Sequence, residues 1–340
     1  MKLKLGLEVF GFLVLATIVA VIPRLIGDFT AYEFAIVGMY FITLLGLSIL
    51  TGYSGQISLG HGAFMAVGGY TTAILTVDGI YGHQMRSLWT IPIAGVVAGV
   101  AGLLVGIPAL RLSGLYLALI TFGIAVSFPQ LPKKWDHFFG GTTGKVLNIL
   151  KPPFGLDTTP NNWLYYLTWG IALVLLVAAW ALLRGKPGRA LQAIRDSEVA
   201  AASSGVNLAT YKTLAFGISA FYAGVAGSLY VISRAYMNPD VFPIILSVYL
   251  VAALAVGGLN SLVGLIAGAA LIYVLQNRAD DVTRWLNHLP VLDLDPKRPG
   301  VPSVVFGVVL IVVMLILPTG AGGLVRRLFG PLTNRLYSRS

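Results

Sequence analysis

The sequence predicts an all-α, polytopic membrane protein: a helical bundle of about ten transmembrane spans. Three observations carry this. Hydrophobic residues make up 57% of the 340 positions and charged residues only 11%, whereas a soluble domain carries roughly a quarter charged residues. The mean hydropathy is +0.84. Apolar runs near the ~20 residues that cross a bilayer recur along the whole chain. The net charge of +10 fits loops and a tail that meet anionic membrane lipid rather than nucleic acid. There is no cysteine, hence no disulfide and no thiolate metal site.

The first span is Leu5–Ile26, preceded by two lysines; Arg24, Asp28 and Glu33 follow it in place of a small-residue cleavage site. It therefore reads as a retained helix rather than a signal peptide. Tyr32–Leu50 is the second span. A Gly-rich break, Thr51–Gly62, separates it from a short span, Ala63–Val77. Trp89–Leu110 and Leu115–Gln130 follow, then a long loop, 131–162, with Lys133, Lys134, Lys145 and Lys151. Trp163–Leu183 and Thr213–Ser233 flank a polar insertion, 184–212. Ile244–Val256 and Leu262–Gln276 are short and joined by Gly257-Gly258-Leu259-Asn260-Ser261. A charged loop, 277–300, a last span, Val301–Leu317, and a basic tail, 318–340, complete the chain. Gly95 and Gly99, Gly102 and Gly106, and Gly264 and Gly268 have the four-residue spacing that lets membrane helices approach closely.

Arg184, Lys186, Arg189, Arg195 and Lys212 place the insertion in the cytoplasm by the positive-inside rule. Alternation then puts the N-terminus, Arg111 and the tail (Arg326, Arg327, Arg335, Arg339) inside, and Asp280, Asp281, Asp293 and Asp295 outside. Ala190–Ser203 has good helix formers and no Gly or Pro, and Gly205 supplies a helix stop. Leu191, Ile194 and Val199 are apolar groups that so short a helix cannot bury alone. Two readings fit: a docking surface, or an ordinary basic loop.

Residues 50–62, LTGYSGQISLGHG, are polar and Gly-rich, yet sit between apolar spans with no Lys, Arg, Asp or Glu. Non-helical backbone at membrane depth is tolerated only where protein or a cavity surrounds it. Ser54, Gln56, Ser58 and His61 can satisfy the freed backbone groups. A broken or re-entrant element lining a translocation path is one reading, and a short surface turn is the other. Gly52, Ser54, Gly55, Gln56, Ser58, Gly60 and His61 are the path candidates. Gly52-Tyr53-Ser54-Gly55 also fits the G-x-S-G pattern of intramembrane serine proteases, which requires Ser54 and His61 within hydrogen-bond reach.

The apolar spans hold almost no ionisable residue away from their ends, unlike most ion-coupled carriers. No Walker A sequence occurs. Energised transport then draws on another subunit, and a self-contained channel or carrier is the rival from another class.

Five blocks, in order, resemble the permease subunits of bacterial branched-chain amino acid ABC importers, the LivM family: GYSGQISLGHGAFMAVGGY (52–70), RLSGLYLALITFGIA (111–125), GGTTG (140–144), residues 188–230, and GGLNSLVGLIAGAAL (257–271). The resemblance implies one transmembrane permease domain over 1–340, in the cell (inner) membrane, that is a transport subunit and not an enzyme. It implies that 189–205 couples to separate ATP-binding subunits, since Glu198, Ala200, Ala201 and Gly205 are similar to that family's E-A-A…G loop, with spacing shifted by one residue. Arg189, Arg195, Asp196 and Glu198 are the polar contact candidates. The resemblance further implies a second homologous permease and an extracytoplasmic solute-binding protein on loops such as 131–162 and 277–300. It implies no cofactor in this chain, with ATP and Mg on the partner ATPase. The cargo implied is a branched-chain or other neutral aliphatic amino acid. Permeases for urea and short amides carry similar blocks.

Overall fold

The computed structural model describes residues 15–17, 19–79, 83–110, 112, 114–150, 152 and 158–278, with isolated positions between 304 and 323. Most of the loop 277–300, most of the last span Val301–Leu317 and most of the tail 318–340 lie outside the described residues, as do the first fourteen positions. Five helices are long and apolar enough to cross a membrane: Asp28–Tyr53, Ser87–Pro108, Leu115–Lys134, Pro160–Arg184 and Leu208–Arg234. Leu15–Leu25 (α1), Ile244–Gly257 and Leu265–Asn277 are shorter apolar helices.

Two helices form the centre. α2 (Asp28–Leu47) runs on through a π-helical turn, Ser48–Tyr53. The other is α11 (Leu208–Arg234). The apolar windows of these two are 89% and 83% buried, against 44%, 28% and 33% for the other three long helices. Between them and the rim lie α3 (His61–Val77), α4 (Ser87–Ala109), α5 (Leu115–Ser127) and two short helices, α6 (Gln130–Lys134) and α7 (Asp136–Phe139). α8 (Pro160–Arg184) leads into the insertion, which folds as α9 (Lys186–Asp196) and α10 (Glu198–Ser203). After α11 come α12 (Ile244–Gly257) and α13 (Leu265–Asn277). α11 packs on α4, α3 and α2, while α2 also packs on α8 and α13.

Small residues set these contacts. The α4 glycines Gly95, Gly99, Gly102 and Gly106 all face α11, against Phe221, Gly217, Ala220 and Phe216. A Cβ at Gly224 of α11 would stand 2.4 Å from the Ala98 methyl, and one at Gly227 would stand 1.9 Å from the Met65 carbonyl oxygen. Gly264 and Gly268 likewise bring α13 onto the Gly257 and Ala253 carbonyls of α12. Lipid offers helices no hydrophobic drive to associate, so this close packing holds them together.

The segment expected as a plain loop, 131–162, is structured in its first half. Lys145–Val146 (β1) pairs antiparallel with Tyr236–Met237 (β2), Lys145 opposite Met237. Lys145 is buried and ion-paired with Asp78 at the end of α3. Phe139 meets the Tyr70 ring edge-on at 5.1 Å. The segment thus caps the ends of α3 and α11 that lie opposite the insertion. The reason is local: three glycines of Gly140-Gly141-Thr142-Thr143-Gly144 take positive φ and turn the chain back.

Gly68→Ala tests the packing. Its new Cβ would sit 2.1 Å from the Gly224 carbonyl oxygen, an overpacking cost of about 1–3 kcal/mol. Gly170→Ala, with nothing within 4 Å, leaves stability unchanged or slightly raised. Thermal unfolding of the two variants in detergent separates them.

Candidate functional site

The Gly-rich break is narrower than the sequence suggests. Helix continues to Tyr53 because the chain widens into a π turn, in which the Ser54 N–H reaches the Ile49 carbonyl at 3.2 Å. Such turns recur at functional sites. The widening serves a contact: the loop after α12 stacks directly on it. A Cβ at Gly52 would stand 2.1 Å from the Leu259 carbonyl oxygen, so only glycine fits there. The Ser48 hydroxyl donates to that same oxygen at 3.1 Å, and Tyr53 donates to the Asn260 carbonyl at 3.3 Å.

Ser54–Gly60 is the irregular stretch. Ser54, Gln56, Ser58 and Gly60 are buried, while Gly55 and Ile57 are exposed and Leu59 is half-buried. This is the period-two alternation of an extended segment. The buried polar groups serve the backbone and one another. Ser54 donates to the Leu50 carbonyl and accepts from Gln56 Nε2, both at 2.7 Å. Ser58 accepts the Gly60 N–H at 3.3 Å, and Thr121 of α5 accepts the Leu59 N–H at 2.9 Å. The open edge is therefore Gly55, Ile57 and Leu59. Of these, Ile57 and Leu59 are absent from the candidates expected from sequence; the alternation was the signal that could have found them.

The stretch is an extended lead-in to α3. Gly55 lies against Arg195 of α9, with a built Cβ 3.2 Å from the arginine Cγ. Six residues later His61 faces Ser219 of α11, Nε2 to Oγ at 2.5 Å. Ser219 stands roughly 16 Å along α11 from Leu208 and roughly 22 Å from Arg234, at about 1.5 Å per residue. The chain thus climbs from the level of the insertion to the middle of the bundle, and α3 starts there. α12 also starts at that level: the Gly62 N–H donates to Ser247 at 3.0 Å. A closed crevice with no room for a water molecule lies where the first turns of α3 and α12 meet the end of α5, beside Gly62, Phe128, Phe242 and Ser247. Ser54 and His61 are each bonded elsewhere, so the structure does not bring the two residues of the protease pattern together. Among the described residues no group of three or more acids or histidines is placed to hold a metal ion.

The insertion is two helices rather than one over Ala190–Ser203. Ser197 breaks it with extended backbone (φ −162°, ψ 113°), and its hydroxyl accepts the Ala200 N–H at 3.2 Å to cap α10. Serine prefers such a cap to a helix interior. Gly205, at φ 81°, stops α10. Leu191 and Ile194 are buried, as is Ala201. Val199 is 79% exposed, and Ala200, Asp196 and Arg189 are exposed too. Arg189 donates to the end of α8, Nη1 to the Arg184 carbonyl at 3.3 Å. Arg195 instead reaches into the bundle: Nη1 donates to the Gly52 carbonyl at 2.6 Å and to Asn260 Oδ1 at 2.8 Å. Glu198 also points back, holding the buried Lys212 of α11 at 2.6 Å. The seven insertion candidates thus divide: Ala201 is buried, Arg195 and Glu198 are exposed but bonded to the bundle, and Arg189, Asp196, Ala200 and Gly205 are exposed without such a bond among the described residues.

Glu198→Gln leaves the buried Lys212 ammonium without its counter-charge. With Glu198 itself half exposed, the expected loss is about 1–2 kcal/mol, read as a lower unfolding temperature. Lys212→Met added to Glu198→Gln recovers part of it.

Two relatives and one family match the chain. High-affinity branched-chain amino acid transport system permease protein LivM of Escherichia coli (strain K12) is 33% identical over 301 residues, covering 81% of this chain and 69% of that protein. The protein of the same name from Salmonella typhimurium (strain LT2) is 33% identical over 273 residues, 73% of this chain and 63% of its own length. No solved structure matches. The model of the family described as branched-chain amino acid transport system / permease component matches residues 29–316. The family match over residues 29–316 and the two relatives, on a helical bundle with membrane-length spans, establish that the chain belongs to that permease family and is a membrane transport subunit rather than an enzyme.

Proposed function

We propose that this chain forms, with a second homologous permease, the path of an ATP-driven importer for branched-chain or other neutral aliphatic amino acids. The insertion faces the cytoplasm, together with both termini. ATP-binding subunits carry the ATP and Mg and press on the outward face of α9 and α10, where Val199, Ala200, Asp196 and Arg189 stand exposed. An extracytoplasmic solute-binding protein docks at the opposite end of the bundle, on the capping segment 131–162 and the loop 277–300. The family match and the two LivM relatives support the cargo class.

The carrying observation is Arg195. One guanidinium grips the Gly52 carbonyl in the π turn and Asn260 in the turn between α12 and α13. The π turn leads through the extended segment Ser54–Gly60 to α3, and the other turn ends α12. A displacement of α9 is therefore transmitted to both elements whose first turns close the crevice. Exposed Gly55 and Ile57, with half-buried Leu59, offer an aliphatic surface along the same route.

Arg195→Gln removes the charged donor and leaves the fold in place. In the complex of permease pair and ATPase in proteoliposomes, with binding protein and leucine outside, ATP hydrolysis should continue. Coupled leucine uptake should fall about tenfold, the effect of one charge-assisted hydrogen bond of roughly 1.5 kcal/mol. Unchanged coupled uptake would overturn the role of Arg195. Leucine flux through this chain alone in liposomes would replace the importer with a self-contained channel or carrier.

A further inference from the structure

α11 ends at Arg234, where Ala235 takes a left-handed φ of 51° and turns the chain into β2. The Arg234 guanidinium has only neutral partners among the described residues. Nη2 donates to the Tyr230 hydroxyl at 3.2 Å and lies 3.5 Å from Asn277 Oδ1, with the Tyr230 ring centroid 5.4 Å away. Three acids at this end of the bundle are committed to other cations: Glu33 to Arg278, Asp78 to Lys145 and Asp240 to Lys133. Beside the exposed Arg234 lies an open cavity of about 420 Å³, lined among the described residues by Tyr230, Arg234, Tyr236 and Val241. Small-molecule sites start at about that size.

The cavity adjoins the closed crevice. Val241 lines the cavity and its neighbour Phe242 lines the crevice. The Tyr230 and Phe242 rings, 5.4 Å apart, lie between the two spaces. A solute arriving from the end opposite the insertion meets this cavity before the crevice.

We propose that the cavity is the receiving site of the path and that Arg234 binds the free carboxylate of the cargo. The proposal rests on the importer reading and narrows its substrate class. A guanidinium presents two parallel donors that match a carboxylate's two oxygens. Tyr236 and Val241 leave room for an aliphatic side chain. Urea and short amides carry no anion, so this site would not retain them; that separates two cargo classes whose permeases carry similar sequence blocks.

The chain contains no cysteine, so a single introduced thiol reports the cavity. Val241→Cys is made in the full permease complex in membranes and reacted from outside with a membrane-impermeant maleimide; the labelled chain is read by mass. With leucine present, labelling should slow by one plus the ratio of ligand concentration to Kd, about twofold when half the sites are filled. 4-Methylpentanoate, which keeps the carboxylate and lacks the amine, should protect as well; leucinamide, which lacks the carboxylate, should not. Arg234→Gln should abolish protection, and Arg234→Lys should keep it in weakened form. Equal protection by leucinamide, or none by either carboxylate, overturns the proposal even if every Arg234 variant fails to fold. Leucine uptake by the same complex is measured separately. Its absence would count against the cargo reading, while protection by 4-methylpentanoate would still report the carboxylate site.

Discussion

Inside a membrane every backbone N–H and C=O must find a partner within the protein, and this chain breaks its helices where water is scarce. The architecture around Gly52–His61 is the solution to that constraint. The π turn lets Ser54 reach the Ile49 carbonyl, and the Ser54 and Gln56 side chains close on each other and on the Leu50 carbonyl. Thr121 reaches across from α5 to take the Leu59 N–H, and Ser247 reaches from α12 to take that of Gly62. The last two bonds each also fix a neighbouring helix. The break is therefore the point at which α2, α3, α5 and α12 are held in register.

Satisfying the break requires neighbours close enough to reach it, which is the work of glycine and alanine on α11, α3 and α4. Gly224 and Gly227 admit the backbones of α4 and α3 at distances no side chain allows. α11 then sits against three helices at once, and its polar residues Ser219 and Ser228 meet His61 and Thr72 in the interior. In water such a packed core would also gain from the hydrophobic effect. In lipid, dispersion and these buried hydrogen bonds carry the association.

What the sequence made legible follows from where its signals are periodic. Composition and apolar run length were enough for the bundle, and the three glycine pairs marked real helix contacts, because both depend on local residue type. The π turn was not legible, since Leu50-Thr51-Gly52 reads equally as helix end or loop; Leu259, far along the chain, decides it by stacking on Gly52. The roles within Ser54–His61 were half legible. Polar side chains point to backbone satisfaction, but their burial left Ile57 and Leu59 as the open edge, which a search for polar path residues passes over. In the insertion, the apolar trio Leu191, Ile194 and Val199 divides, because Ser197 caps a second helix and turns Val199 outward while the other two stay buried. Arg195 and Glu198, both plausible outward contacts by chemistry, turn inward to Gly52 and Lys212.

That inward turn decides how force can travel. An insertion held only by its flanking spans would swing about residues 184 and 212 and leave the interior still. Here Glu198 fixes α10 to α11, and Arg195 fixes α9 to a carbonyl in the one turn of α2 that is already wider than an α-helix. A π turn can surrender its extra residue and return to α geometry, which rotates everything C-terminal to it by part of a turn. The extended segment Ser54–Gly60 and the first turn of α3 lie immediately C-terminal. Asn260, on the same guanidinium, terminates the hinge-like Gly257-Gly258 turn below α12. On the importer reading proposed above, a small displacement at the insertion has two routes to the crevice and two glycine-rich joints to absorb it, and opening would move discrete elements rather than deform the packed centre of α2 and α11.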